Sequence, residues 1–327
     1  MDKEPISCHL LGRLYQVDGK RLQQQYKDHL SNFPDWDQKE HASDWMLFTG
    51  NMGEYLSIDE TALSNGELYT IMTNKAAKGG KGAIVAMVKG TQAEQIIQVL
   101  EKIPVRKRNK VKEVTMDMAA NMAKAIRRCF TNAERVMDRF HVQKLAYDAV
   151  QELRIKYRWD ALDKENKAIE TAKKANKSYQ PEVFSNGDTL KQLLARSRYL
   201  LFKHHTKWTR SQKERAQILF SLYPLLYKAY RLSQHLGNIF TICKSRTQAF
   251  KMLAIWYNDV EASGIDSFKT VVGSVKTHYN YILNFFNNRS TNASAESFNA
   301  KIKAFRATSR GVRDIDFFLF RLANIYA

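Results

Sequence analysis

Three carboxylates in this chain, Asp59, Asp117 and Glu296, stand where a fold would expose them at the ends of its elements. Asp59 follows Leu56, Ser57 and Ile58, a strand-forming run in which an acid is uncommon, because Asp is depleted from strands and costly to bury unless paired or metal-bound. Asp117 closes a second such run, Val114-Thr115-Met116, so its carboxylate projects at a strand end, where α/β folds hold ligands. Glu296 opens a helix-forming stretch, TNASAESFN, where a negative charge also suits the helix dipole or a capping box. Taken singly, each residue has an ordinary structural reading. Two or three carboxylates at one spot are different: they repel unless a cation neutralises them, and an all-oxygen set suits Mg²⁺ or Mn²⁺. Two such ions, roughly 3.5–4 Å apart, would activate an attacking hydroxyl and stabilise the leaving oxygen of an in-line phosphoryl displacement.

The elements that must bring these residues together can be read from breakers and periodicity. EYLSIDETAL, GELYTIMTNKA and GAIVAMVKG are short apolar and β-branched runs separated by Ser64-Asn65-Gly66 and KAAKGGKG, which predicts three antiparallel strands. AEQIIQVLEKI carries apolar residues at helical spacing and Pro104 stops it; VKEVTMDM then reads as a strand, ANMAKAIRRCF as a helix and ERVMDRFHV as a strand. The first and fourth strands of such a mixed sheet can lie side by side, bringing Asp59 to Asp117, with Glu296 on a late helix closing the site. Residues 144–285 turn to long helical stretches such as TLKQLLARSRYLLFKHH and KERAQILFSLYPLLYKAYRLSQHLGNIF. NASAESFNAKIKAFRATSRG is a helix closed near Gly311, and DIDFFLFRLANIYA a second, apolar one. Near the start, Asp18-Gly19 turns into a short helix that ends near Pro34.

Composition names the partner's charge. Among 327 residues, 52 are Lys or Arg and 33 Asp or Glu, a formal net charge of +19, which points to a polyanion. With 44% hydrophobic residues the chain can build a core, so disorder is excluded as its main state. No apolar run is long enough for a membrane span and MDKEPISCHL lacks signal-peptide order, so a soluble, cytoplasmic protein is expected. Cys8, Cys129 and Cys243 are isolated, which argues against a disulfide framework and a zinc ribbon. Residues 1–50 carry a net −2 and residues 146–289 a net +12, so an anion-binding surface has to be built by the fold rather than by a tail. Arg106, Lys107, Arg108, Lys110 and Lys112 concentrate in one run, with two readings of equal weight, a solvated loop before a strand and a phosphate contact.

LSIDE at 56–60, VTMDM at 114–118, ERVMDRFHVQKL at 134–145 and NASAESFNAKIKAFRATSRG at 292–311 together resemble bacterial insertion-sequence transposases of the DDE type, in the ISL-three group with its D-x-F-H signature. The resemblance runs from about residue 50 to the C-terminus. It implies an α/β, RNase H-like mixed sheet with a large all-helical insertion before the last acidic helix, and metal-dependent cleavage and strand transfer of double-stranded DNA at element ends. It also implies Asp59, Asp117 and Glu296 as ligands of Mg²⁺ or Mn²⁺, two ions in number. The expected division is a short N-terminal segment at 1–50, the first part of the catalytic core at 51–143, the insertion at 144–289 and completing helices at 290–327.

Asp138 and His141 follow the second carboxylate in that motif and read as a supporting pair, joined by a buried hydrogen bond; Asp138 replacing Asp117 as a ligand is the alternative. Asn299 shares a helical face with Glu296 and, with Lys301, touches either the site or DNA. Lys303 and Arg306 are DNA contacts or plain solvent-facing charges. Trp208 is a core ring or a stacking surface for an unpaired base, the first being preferred. Adjacent His204 and His205 would diverge on a helix, so no metal pair is read there.

The family's usual N-terminal zinc and helix-turn-helix region has no counterpart in the residues before the first strand, and Val312 replaces the usual aromatic after Gly311. End recognition is therefore expected from the insertion, from a separate DNA-binding polypeptide or not in this chain at all, and the resemblance implies a synaptic homodimer. The rivals are an RNase H-like nuclease without strand transfer and a non-catalytic DNA-binding protein.

Overall fold

The computed structural model describes every residue except Asn65 and Arg310. The chain divides into two units, one formed by Met1–Asp138 with Arg289–Ala327 and the other by Arg139–Asn288.

The first unit holds the sheet. Its described strands are β1 (Trp45–Leu47), β2 (Tyr55–Ser64), β3 (Glu67–Asn74), β4 (Ile84–Lys89), β5 (Glu113–Met116) and β6 (Glu134–Met137), in the order β1-β4-β3-β2-β5-β6. β2, β3 and β4 pair antiparallel, whereas β5 joins β2 and β6 joins β5 in parallel. A meander followed by two parallel strands on the far side of its first strand is an RNase H-like mixed sheet. Gly66, at φ +82°, stands in the β2–β3 turn, a conformation that glycine adopts without a Cβ penalty; Asn65 of the expected Ser64-Asn65-Gly66 turn lies outside the described residues.

The unit's helices are α1 (Cys8–Tyr15), α2 (Gly19–Gln25), α3 (Ala93–Leu100), α4 (Val105–Arg108) and α5 (Ala120–Cys129), with two more after residue 289. The second unit contributes α6 (Arg139–Lys174), α7 (Leu190–Arg196), α8 (Arg210–Leu222), α9 (Pro224–Ile242), α10 (Arg246–Ser263), α11 (Asp266–Thr277) and α12 (Tyr279–Asn288). The chain then returns to the first unit with α13 (Ala293–Thr308) and α14 (Ile315–Tyr326). Phe298, Ile302 and Phe305 of α13 and Phe318, Leu319 and Leu322 of α14 bury one sheet face, against Leu63, Tyr69, Ile71 and Met87. Those strand residues alternate as a pleat requires, which puts Asp59, two registers from Thr61 and four from Leu63, on the face that α13 covers. The N-terminal segment packs on α14: Phe33 meets Phe317 and Phe320 edge-on, and buried Arg321 donates to the carbonyls of Met1 and Glu4.

Two expectations need correction. DRFHV does not continue the strand: β6 ends at Met137 and Arg139 already begins α6, because only Glu134 to Met137 find ladder partners on β5. The apolar run over 213–240 is two helices, since Pro224 takes the first position of α9, where its missing N–H costs nothing, and so ends α8 at Leu222. α1 and β1 carry too few periodic residues to be read from the sequence. No helix among the described residues is long and apolar enough to cross a membrane.

The helical unit has one fully buried acid anchor. The Asp188 side chain has no exposed surface, and its carboxylate accepts from Arg215 Nε at 2.7 Å and from Arg196. Burial raises its pKa, but the hydrogen bonds and charges of Arg215 and Arg196 prevail and the net shift is downward. A carboxyl depressed in the folded state contributes stability above its unfolded pKa of about 3.9 and loses it as pH falls through the lower folded value. Asp188→Asn should therefore destabilise the protein at pH 7 by about 3 kcal/mol, with the gap to wild type closing below pH 4. Denaturant titrations at pH 7, 5 and 3.5 would measure this, and a pH-independent gap would refute it.

Candidate active site

The parallel register sets the site. Ser57 pairs with Thr115, and Met116 pairs with Met137. Two residues past the first pair, Asp59 falls level with Asp117; one residue past the second, Asp117 falls level with Asp138. One backbone bond past the last ladder pair holds Asp138 in place, its N donating to Met116 O at 2.9 Å. Asp117 and Asp138 thus follow the ends of β5 and β6, where open α/β sheets bind ligands, and Asp59 lies level with them inside the longer β2.

Each acid is held by a neighbour. Asp59 Oδ2 accepts from Asn299 Nδ2 at 2.8 Å, and its Oδ1 accepts from the Glu60 amide at 2.9 Å. Asn299 is 7% exposed and also donates to the Glu60 carbonyl at 3.3 Å, so it ties α13 to the central strand. Asp117 Oδ1 accepts from the Ala119 amide at 2.8 Å, ahead of α5. Glu296 lies in the first turn of α13 and is exposed. A carboxylate oxygen of Glu296 lies within 4.8 Å of one of Asp138, which is 2% exposed. Two like charges at that spacing cost about 1–3 kcal/mol, depending on how far water screens them. Two carboxylates that close, one of them open to solvent, could share a metal ion. His141 lies in the helical unit, on the opening turn of α6, with its ring edge-on to Phe140 at 5.7 Å.

Residues 56–322 match the family model of DDE transposases of the ISL3 group, described as Transposase. The chain belongs to this transposase family. The transposase for insertion sequence element IS1001 of Bordetella parapertussis is 23% identical over 271 residues, which are 82% of this chain and 60% of that protein. The chain therefore spans about 60% of the length of the curated relative it matches.

The cations that the sequence offered for DNA are mostly engaged within the transposase fold. Arg108 donates to the carbonyls of Ile103 and Cys129, the latter at the end of α5, where a cation complements the helix dipole. Lys107 reaches Thr49 O at 2.7 Å and Lys112 pairs with Glu54 at 2.8 Å. Lys301 donates to Gly79 O at 2.6 Å, and Arg306 to the carbonyls of Ala62 and Leu63. Arg106, Lys110 and Lys303 are exposed.

Sequence reasoning missed four residues beside the acids. Asn292 is fully buried at the start of α13 and, instead of capping that helix, donates to Ile58 O at 3.3 Å. Glu60, next to Asp59, has its carboxyl pushed up by burial and then by the Asp117 charge, with Asn121 opposing; its place directly after Asp59 was the available signal. Lys75 donates to Glu113 Oε1 at 2.9 Å and to Thr115 Oγ1, on the pleat positions that lead to Asp117. Burial pulls the Lys75 ammonium below its ordinary value, against the charges of Glu113 and Asp138. Glu113 is 1% exposed. Lys75→Met should strand that charge and cost about 3 kcal/mol, whereas adding Glu113→Gln should recover most of the loss. Equilibrium denaturation of both variants decides; a single variant as stable as wild type would mean that the pair contributes nothing.

Proposed function

We propose that this transposase cuts and rejoins DNA at the ends of an insertion sequence, with Asp59, Asp117 and Glu296 as its metal ligands and Asp138 alongside. The observation that carries the reading is the Asn299–Asp59 hydrogen bond, which fixes the helix bearing Glu296 against the strand whose parallel neighbour leads to Asp117. Asn299 and the Glu60 amide fix the rotamer of Asp59, and the Ala119 amide fixes that of Asp117, so the carboxylates need little reorganisation when the site fills. Bound Mg²⁺ or Mn²⁺ would neutralise the acids and act as a Lewis acid toward phosphoryl oxygen.

In the first step water attacks phosphorus and the P–O3′ bond breaks, leaving a 3′-hydroxyl on one strand and a 5′-phosphate on the other fragment. In the second step that 3′-hydroxyl attacks a target phosphodiester, and a target 3′-oxygen leaves. The number of phosphodiester bonds is conserved in the second step, so no external energy source is required. A pair of element ends held by two copies of the chain is the assembly that the family resemblance implies for this reaction.

Asp59→Asn, Asp117→Asn and Glu296→Gln should each abolish cleavage of element-end DNA while leaving salt-sensitive DNA binding within about twofold. Gel assays with labelled ends and supercoiled target separate the steps: joined products are expected from the wild type. An active Asp117→Asn enzyme together with a dead Asp138→Asn enzyme would transfer the ligand role to Asp138. Cleavage without joined products would reduce the protein to a nuclease.

A further inference from the structure

A large cavity of the helical unit has no part in the reaction just described. It measures about 1140 Å³ and lies among α8, α9, α10 and the short turns before α8. A common small-molecule site is about 300–1,000 Å³, so this one has room for more than a single small ligand. One wall is a run of packed aromatic rings: Trp208 lies 5.4 Å from Tyr230, Tyr230 lies 5.5 Å from Phe220, and Phe220 lies 4.9 Å from Tyr227. The inner end is fixed, with Trp208 Nε1 donating to Leu200 O and Tyr230 Oη to Lys203 O, each at 2.8 Å. The outer end is open, since Tyr227 is 42% exposed.

The charge around this wall is one-sided. Lys213, Lys228 and Arg231 line the cavity, and Arg231 sits 5.9 Å from the centre of the Tyr227 ring. The lining acid, Asp259, is within 3.1 Å of His235 Nδ1. His204 and His205, which a helix would have splayed apart, occupy a tight turn with ring centroids 4.2 Å apart and add two more polar aromatic rings. Lys228 donates to Ala262 O at 3.1 Å and Arg231 to Tyr227 Oη at 3.4 Å, but these are neutral oxygens, so an apolar ligand would leave the positive charge uncompensated and a simple anion would leave the rings without a partner. A chain of flat aromatic groups linked by phosphates satisfies both.

We propose that this cleft binds an unpaired segment of a DNA strand, its bases stacked on the Tyr227 end of the aromatic wall and its phosphates on Lys213, Lys228 and Arg231. Duplex DNA keeps its base faces stacked on each other and cannot use the wall; a single strand can. The inference goes beyond the proposed reaction and its test needs no cleavage.

The test is fluorescence anisotropy of the full chain with a labelled twelve-nucleotide oligothymidine, in EDTA, against a blunt duplex of equal length. The wild type should prefer the single strand. Tyr227→Ala should weaken single-strand binding about fivefold or more and erase the preference, and Tyr227→Phe, which keeps the ring, should retain it. Arg231→Ala should weaken binding and flatten its salt dependence by about one charge, unlike the remote Lys173→Ala. Asp59→Asn should bind as the wild type does, so loss of the catalytic reading leaves this one standing. Three results would overturn the proposal: no preference for the single strand, undiminished binding by Tyr227→Ala, or tighter binding of an oligouridine, which would assign the cleft to RNA.

Discussion

Acids brought level on three neighbouring parallel strands, one inside β2 and two just past the ends of β5 and β6, are the constraint to which the rest of the first unit answers. Asp59, Asp117 and Asp138 are brought level by the register of β2, β5 and β6, and Glu296 is added from α13. The close Asp138–Glu296 pair opposes folding while it carries two charges, so the surrounding contacts have to hold it. Asn299 and the Glu60 amide hold Asp59, and the Ala119 amide holds Asp117. Below them, the Lys75–Glu113 pair sets a cation within electrostatic reach of Asp138. The apolar packing of α13 and α14 on the sheet makes the arrangement stable: Phe298 and Ile302 anchor the helix whose polar edge carries Glu296 and Asn299.

That division of labour on α13 explains its sequence. Phe298, Ile302 and Phe305 are spaced to face the sheet, while Glu296 and Asn299, three residues apart, share the side turned toward Asp59. Asn292 gives up an ordinary capping role to reach Ile58 O from the start of the helix. A helix start docked through its N-cap residue cannot slide along β2, and the position of Glu296 relative to Asp59 depends on that register.

Much of this was legible because its signals are local. The alternation in EYLSIDETAL and GELYTIMTNKA, the turn residues between them and the helical spacing of AEQIIQVL led to the mixed sheet, with Asp59 inside its first strand and Asp117 closing its fourth, and the motif resemblance implied the RNase H-like class. What stayed hidden depends on distant partners. Lys75 reads as one turn lysine among several until β5 is laid beside β2, and Glu113 reads as a solvent-facing strand residue although it is buried. DRFHV has strand composition, yet it becomes the first turn of α6, because β6 has ladder partners only as far as Met137. The basic run over 106–112 shows the same dependence on distant partners. Its charge density suggests phosphate, but Arg108 and Lys107 are spent on carbonyls at helix and turn ends, an outcome that no spacing rule distinguishes from solvation.

Formal charge alone does not tell which cations are free to meet an anion, because some of them already serve the fold. In the first unit several basic side chains terminate on backbone oxygens or carboxylates and contribute to the fold. The helical stretch carries the larger excess, a net +12 over 146–289, and its one fully buried acid, Asp188, already has two arginines. The remaining excess has to be met by solvent or by an anion outside the chain. Basic side chains beside stacked aromatic rings are where an external polyanion gains most, because each phosphate contact there is accompanied by a base contact that water cannot replace.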